Sequence, residues 1–142
     1  MRLKSALPAS CLAIAIAACR RDITPPAVPL TLDVQARTVD GAALPVWIEE
    51  RPGTGAHFTS YYLHLTPDGL WNALGFRYPG NSTPADTSFF QDNGVYTFDG
   101  TALVLHSNSQ HTDWVGTLRG DTITTNGMLA IANAPHTLVL WP

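Results

Sequence analysis

The sequence predicts an all-β domain, a barrel or a sandwich of about eight or nine short antiparallel strands. Three observations predict it. Residues 93–127, NGVYTFDGTALVLHSNSQHTDWVGTLRGDTITTNG, hold two hairpins in tandem: VYTF and ALVLH flank Asp99-Gly100, and DWVGTL and TITT flank Arg119-Gly120-Asp121. Alternating runs around Asp-Gly or Gly-Asp are the strongest short-range hairpin signal. Similar runs recur through the rest of the chain, and no helical period outlasts two turns. The 142 residues include 11 Gly and 11 Pro, a turn-rich composition, and suffice for one domain with one core.

Taken in order, the chain opens on a leader. Arg2 and Lys4 form a positive n-region, and residues 12–18, LAIAIAA, an apolar h-region too short to span a bilayer. The next residues, Ile16-Ala17-Ala18-Cys19, resemble a bacterial lipobox. That resemblance implies cleavage before Cys19 and its lipidation. The other reading of the same residues is an ordinary signal peptide cut after Ala18, leaving Cys19 a free thiol. Cys11 would leave with the leader, so the mature domain would have neither a disulfide nor a thiolate metal site. Residues 1–18 are thus expected to be a signal peptide and 19–29 a lipidated Cys with a Pro-rich tether. Residues 30–142 are expected to be the β domain.

Residues 30–39 read as the first strand, with Asp40-Gly41 as its turn, and residues 44–50 as the second. Residues 51–56, RPGTGA, read as a loop. In the strand at 57–66, Tyr61, Leu63 and Leu65 point one way and Tyr62 and His64 the other. Pro67-Asp68-Gly69 is a turn. In the return strand at 70–78, the large apolar residues place Leu70, Leu74, Phe76 and Tyr78 inward, with Asn72 among them, and Trp71, Ala73, Gly75 and Arg77 outward. Residues 79–91 read as a long irregular segment over one end, anchored by Phe89 and Phe90. The meander follows, with Tyr96, Phe98, Leu103, Leu105, Trp114, Gly116, Leu118 and Ile123 inward and His106 on the opposite face. Met128 to Ile131 read as a strand extension and residues 137–141, TLVLW, as the closing strand.

The charge balance excludes one class of partner. Removing the leader takes away Arg2 and Lys4 and leaves 6 basic against 11 acidic residues, a net −5 with no lysine. A nucleic-acid binder needs clustered positive charge to neutralise phosphates, and none is present.

Four segments together resemble the lipocalin-like domains of small bacterial lipoproteins. They are TVDGAALP (Val39, Asp40, Gly41, Leu44, Pro45), YLHLTPDGLW (Leu63, Leu65, Asp68, Gly69, Trp71), DNGVYTFDGTALVLH (Gly94, Tyr96, Gly100, Leu103, Leu105) and DWVGTLRGDTIT (Gly116, Gly120, Asp121, Thr122, Ile123). The resemblance covers residues 30–141. It implies an antiparallel up-and-down barrel of about eight strands and no shared catalytic residue. The chain lacks the G-x-W start and the disulfides of larger ligand-carrying lipocalins, and it is shorter, which counts against a roomy cavity.

Among candidate sites, enzyme motifs are absent: no G-x-S-x-G, H-E-x-x-H, P-loop or G-x-G-x-x-G occurs. Glu49 and Glu50 are neighbours and on a strand face opposite ways. His106, His111 and Asp113 flank one hairpin loop and offer imidazole and carboxylate ligands of the kind zinc or copper takes, against the plainer reading of a polar turn. His57, His64 and His136 have no ligand spacing. Tyr61, Asn72, Phe76, Tyr78, Tyr96, Phe98 and Trp114 are the expected inner lining. An eight-stranded barrel can either fill with such side chains or hold one small apolar ligand. Trp47, Trp71 and Trp141 are expected outside.

The expectation is therefore a lipid-anchored, non-enzymatic barrel without a cofactor. It would be held by Cys19 in the bacterial envelope, at the outer membrane facing the periplasm, because Arg20 rather than Asp follows the Cys. Its ligand would be a small apolar molecule inside the barrel. The alternative is a protein-interaction module with a filled core, either structural or resembling the envelope barrels that inhibit secreted proteases through an N-terminal segment.

Overall fold

The computed structural model describes residues 29–126 and 136–142. The expected signal peptide, Cys19 with residues 20–28 of the tether, and the strand extension at Met128 to Ile131 lie outside the described residues. Ten strands form among the described residues: β1 (Leu32–Val39), β2 (Ala42–Ala43), β3 (Val46–Arg51), β4 (Thr54–Leu65), β5 (Leu70–Pro79), β6 (Ser88–Phe98), β7 (Ala102–Ser107), β8 (Asp113–Arg119), β9 (Thr122–Asn126) and β10 (Thr137–Trp141). One 3-10 turn, Pro84–Asp86, interrupts them among the described residues.

From β4 to β10 each strand pairs antiparallel with the next, β10 pairs with β1, and β1 pairs with β4. Eight strands thereby close an up-and-down barrel, which removes most free sheet edges. The seam has a specific construction. β4 is 12 residues long, and one edge of it serves two partners. Its C-terminal half takes β1 (Leu32 opposite Leu65, Gln35 opposite Tyr62), and its N-terminal half takes β3 (Val46 opposite Phe58, Trp47 opposite His57). β2 continues the edge of β1 where β1 has left β4.

The core follows from strand parity. Even-numbered Ala56 and Phe58 and odd-numbered Tyr61, Leu63 and Leu65 are all buried on β4. Both sets can face inward because the register slips by one residue between Phe58 and Ser60. The slip is a β-bulge, an extra residue that resets the alternation. β1 does the same between Ala36 and Thr38, so that Val34, Ala36 and Val39 all turn inward. With Ile48, Trp71, Leu103, Leu105, Ile123, Leu138 and Leu140 these side chains form one buried cluster.

The parity of β5 is opposite to the sequence expectation. Trp71 is buried (2% exposed) with Ala73 and Gly75, whereas Leu70 is 48% exposed, Asn72 is exposed, and Leu74, Phe76 and Tyr78 are half-buried on the outside. A one-residue change of phase turns every side chain of a strand to the other face. Both rows of this strand contain apolar residues, so hydrophobicity alone does not choose between them. Volume chooses: Ala73 and Gly75 leave room for the large rings that β4 and β6 send inward. Arg77 is likewise on the inner row. It sits at the rim, where it forms an ion pair with Glu50 (2.5 Å) and lies 5.9 Å from the Phe90 ring.

Two expected loops are shorter than the sequence implied. Residues 52–53 alone join β3 to β4, with Gly53 at φ 77°, and Glu49 Oε1 accepts the Gly53 N–H at 2.9 Å. β6 begins at Ser88, so the irregular segment is residues 80–87. Phe89 is a strand residue and is 63% exposed, and Phe90 packs on the core. No described helix is long and apolar enough to cross a membrane.

Candidate functional site

Tyr61, Tyr96 and Phe98 point inward and are buried, and Trp114 packs half-buried against the same cluster. They belong to, or pack against, the one buried cluster. Phe90 lies 6.0 Å from the Tyr61 ring and 5.9 Å from the Phe58 ring. The Tyr96 hydroxyl is committed to the backbone: it donates to Thr66 O and accepts the Leu30 N–H, both at 2.8 Å. That pair of bonds fixes the start of the domain beside the β4–β5 turn. Asn72, Phe76 and Tyr78, expected in the lining, are on the outside with the rest of their row.

The interior also holds a polar cluster that sequence reasoning missed. Asp92 lies on the inward row of β6, which runs through Gly94, Tyr96 and Phe98. Its carboxylate accepts Ser107 Oγ (2.9 and 2.7 Å), Ser109 Oγ (2.6 Å) and the Asn93 N–H (2.8 Å). Ser107 Oγ in turn accepts the Gln110 N–H at 2.9 Å. A buried carboxylate is tolerable only when satisfied in this way. Its bonds tie the β7–β8 loop to the barrel wall. Burial, and then the nearby charge of Asp92, push the Tyr61 phenol well above its ordinary range. Counting back in twos from Phe98 would have found Asp92.

The outer wall presents a different arrangement. Two clefts, of about 200 and 770 Å³, open on it and share Asn72. Register explains the joint. Asp33 on β1 stands opposite His64 on β4, His64 opposite Asn72 on β5, and Asn72 opposite Asn93 on β6. Asn108, in the β7–β8 loop, then extends the row: its Nδ2 donates to Asn93 Oδ1 at 3.0 Å and its N–H to the Asn93 carbonyl at 2.9 Å. His64 Nδ1 meets Asp33 Oδ1 at 2.5 Å, so Nε2 is the ring nitrogen left for a ligand. The result is one transverse row of five polar side chains.

Apolar and aromatic groups border that row on both sides. Toward one end of the barrel stand Tyr62 and Leu74, which are cross-strand partners, and Tyr62 OH receives Gln35 Nε2 at 3.4 Å. Toward the other end stand Leu70 and Val95 (49% exposed), also partners. At the far end of the groove Arg37 lies 5.8 Å from the Trp141 ring and donates from Nη2 to Pro142 O at 2.8 Å. Trp47 and Trp141 are exposed, as expected, and Trp71 is not.

The three metal candidates do not converge. His106 Nδ1 and Asp113 Oδ1 pair at 2.7 Å across β7 and β8. His111 sits exposed in the loop with φ 51° and does not join them. Among the described residues no group of three or more His, Cys, Asp or Glu could hold a metal ion. The loop's left-handed residue at position 111 turns the chain between the two partners, so the hairpin joins two of the three.

Comparison with protein-family models, curated proteins and solved structures finds no match.

Proposed function

We propose that this chain is a lipid-anchored, non-enzymatic binding module of the bacterial envelope. In this reading the lipocalin-like barrel takes its ligand in the outer groove centred on Asn72. One observation carries it: the inward aromatics belong to one buried cluster, while two clefts that share Asn72 open on the outer wall beside exposed amides. The interior, where the sequence placed a ligand, is the weaker candidate, because Tyr61, Tyr96 and Phe98 are consumed by packing. Cys19 behind Ile16-Ala17-Ala18 supports the anchor, and Arg20 supports sorting to the outer membrane. Each buried acyl methylene contributes ~0.8 kcal/mol, so two or more chains hold firmly.

Photo-crosslinking in cells tests the groove. A photoreactive residue is placed in the full-length chain at Asn72, at Val95, or at Thr124. Thr124 lies on β9, four strands from β5 in the closed order and so on the opposite wall. Adducts at positions 72 and 95 with none at 124 are expected. No adduct at 72 and 95, or equal labelling at all three, overturns the reading. The anchor has its own check: palmitate incorporation that is lost in Cys19→Ser is expected, and incorporation that persists overturns it.

A further inference from the structure

We infer that the outer wall of β4, β5 and β6 lies on the surface of the bilayer that holds the chain's lipid. This rests on the reading of Cys19 as the anchor, and not on what occupies the clefts. The first support is the absence of charge. No outward position of β4, β5 or β6 holds Asp, Glu, Lys or Arg, whereas the surface of a soluble domain is about 25–35% charged. Charge stands at the borders: Asp33 on β1, Glu49 and Arg51 on β3, and Asp113 on β8. Of the seven exposed large apolar side chains described, Tyr62, Leu70, Phe89 and Val95 are on this wall and Trp47 is beside it. An exposed apolar patch with a polar rim marks a contact surface.

Aromatic chemistry is the second support. Trp47, His57 and Tyr78 form one row across β3, β4 and β5. The Trp47 and His57 rings meet edge to face at 5.2 Å, and the His57 and Tyr78 rings stack at 4.7 Å. Phe76 and Phe89, cross-strand partners, form the next row, and Tyr62 meets Phe76 edge-on at 6.5 Å. The exposed indole is seated on glycine: a Cβ at Gly80 would lie 1.7 Å from Trp47 Cζ3, and one at Gly55 2.7 Å from Trp47 Cζ2. Flat rings with a polar tip are the groups that settle at headgroup level.

The tether and the shape of the wall decide the occupant. Tyr96 OH accepts the Leu30 N–H and donates to Thr66 O, so the chain enters the domain beside the β4–β5 turn, at one end of this wall. Residues 20–29 span at most about 35 Å, which keeps the wall near the bilayer and makes a weak contact sufficient. Three of eight strands form a convex surface. Two such surfaces touch along a line, whereas a bilayer yields around each side chain. Anionic headgroups repel a mature chain of net charge −5, and an uncharged wall approaches them without that cost. The two clefts that share Asn72 open on or beside the same wall, so their ligand enters from the headgroup region.

The test is spin-label accessibility on the full-length chain, expressed in bacteria, purified in its acylated form and reconstituted in vesicles of phosphatidylethanolamine and phosphatidylglycerol. A nitroxide is attached through Tyr62→Cys, Phe89→Cys or Thr124→Cys, all at exposed positions. The wild type should take up no label, because Cys11 leaves with the leader and Cys19 is acylated. Uptake by the wild type overturns the anchor and this inference with it. Labels at 62 and 89 should collide with oxygen in preference to a water-soluble nickel chelate about ten-fold more than the label at 124, the contrast between about 5–10 Å of depth and open water. Raising salt from about 50 to about 500 mM should leave the ratio unchanged, because the wall has no charge to screen. Equal ratios at the three positions, with the wild type unlabelled, overturn the docking and spare the anchor. Labels at 62 and 89 shielded from both reagents report a second copy of the chain and overturn the bilayer as occupant. A ratio lost in high salt assigns the contact to the charged borders and overturns the wall.

Discussion

Gly75 and Phe90 are cross-strand partners on β5 and β6, and the Phe90 ring fills the space where a side chain at Gly75 would stand. A Cβ at Gly75 would lie 2.0 Å from Phe90 Cζ. The ring cannot simply swing aside, because Phe58, Tyr61 and the Arg77 guanidinium surround it. This relationship sets the phase of β5: a residue with no side chain must face inward there, and Trp71 follows it in and Asn72 follows it out. The groove exists because of that choice.

Gly75→Ala should therefore destabilise the barrel by about 1–3 kcal/mol, the usual range for overpacking a filled core. Gly75→Ala combined with Phe90→Leu should recover part of the loss. Urea unfolding of the variants checks both, read as a midpoint shift at constant slope. A single variant as stable as the wild type would show that the ring moves freely, and the account of the strand's phase would fall with it.

Asp40 supplies a pH-dependent contact at the seam. Its carboxylate accepts the Thr137 N–H at 2.8 Å and meets His136 Nδ1 at 2.7 Å, joining the β1–β2 turn to the start of β10. Burial pushes its pKa up, but the His136 side chain, the Thr137 N–H and the His136 charge outweigh burial and hold it below the ordinary value. A carboxylate depressed in the folded state contributes stability above its unfolded pKa of about 3.9, and that stability is lost as pH falls through the folded value. Asp40→Asn should cost under about 1 kcal/mol at pH 7, since the pair is largely solvated. The difference from wild type should shrink as pH falls below the unfolded value and through the lowered folded one. Stability curves at pH 7, 5 and 3 check this, and an undiminished difference at pH 3 would refute it.

Much of this architecture was legible in the chain. The Asp99-Gly100 hairpin forms as read: Asp99 Oδ1 accepts the N–H groups of Thr101 (2.9 Å) and Ala102 (2.7 Å), and Gly100 takes φ 104°. Turn chemistry is local and survives any tertiary context. The phase of β5 was not legible from hydrophobicity, because Leu70 and Trp71 are both apolar. It was partly legible from the turn: pairing about Pro67-Asp68-Gly69 sets His64 against Asn72, so the known outward direction of His64 carries Asn72 outward too. Gly94 gave a second sign. Its reason shows only in the folded barrel, where a Cβ there would lie 1.8 Å from the His106 carbonyl oxygen and 3.0 Å from Nε1 of the buried Trp71. Asn108 joins the row through a loop whose course depends on the buried Asp92, and no single-strand pattern contains that.

Tyr61 gives the sharpest solution test of the interior. Its phenol is held well above its ordinary range, first by burial and then by the charge of Asp92. A group whose folded pKa is raised keeps its full contribution below the unfolded pKa, about 10 for Tyr, and loses it as pH rises beyond that point. Only the unfolded chain can then release the proton, so each pH unit above about 10 removes up to 1.4 kcal/mol. Tyr61→Phe has no proton to release and should flatten that slope by up to the same amount. Denaturant unfolding between pH 9 and pH 11 measures the slope directly, and absorbance at the phenolate band reports when the tyrosines ionise. An equal slope in both proteins would mean that Tyr61 ionises in place. The phenol would then reach water or another counter-group, and the interior would have room that a filled core does not.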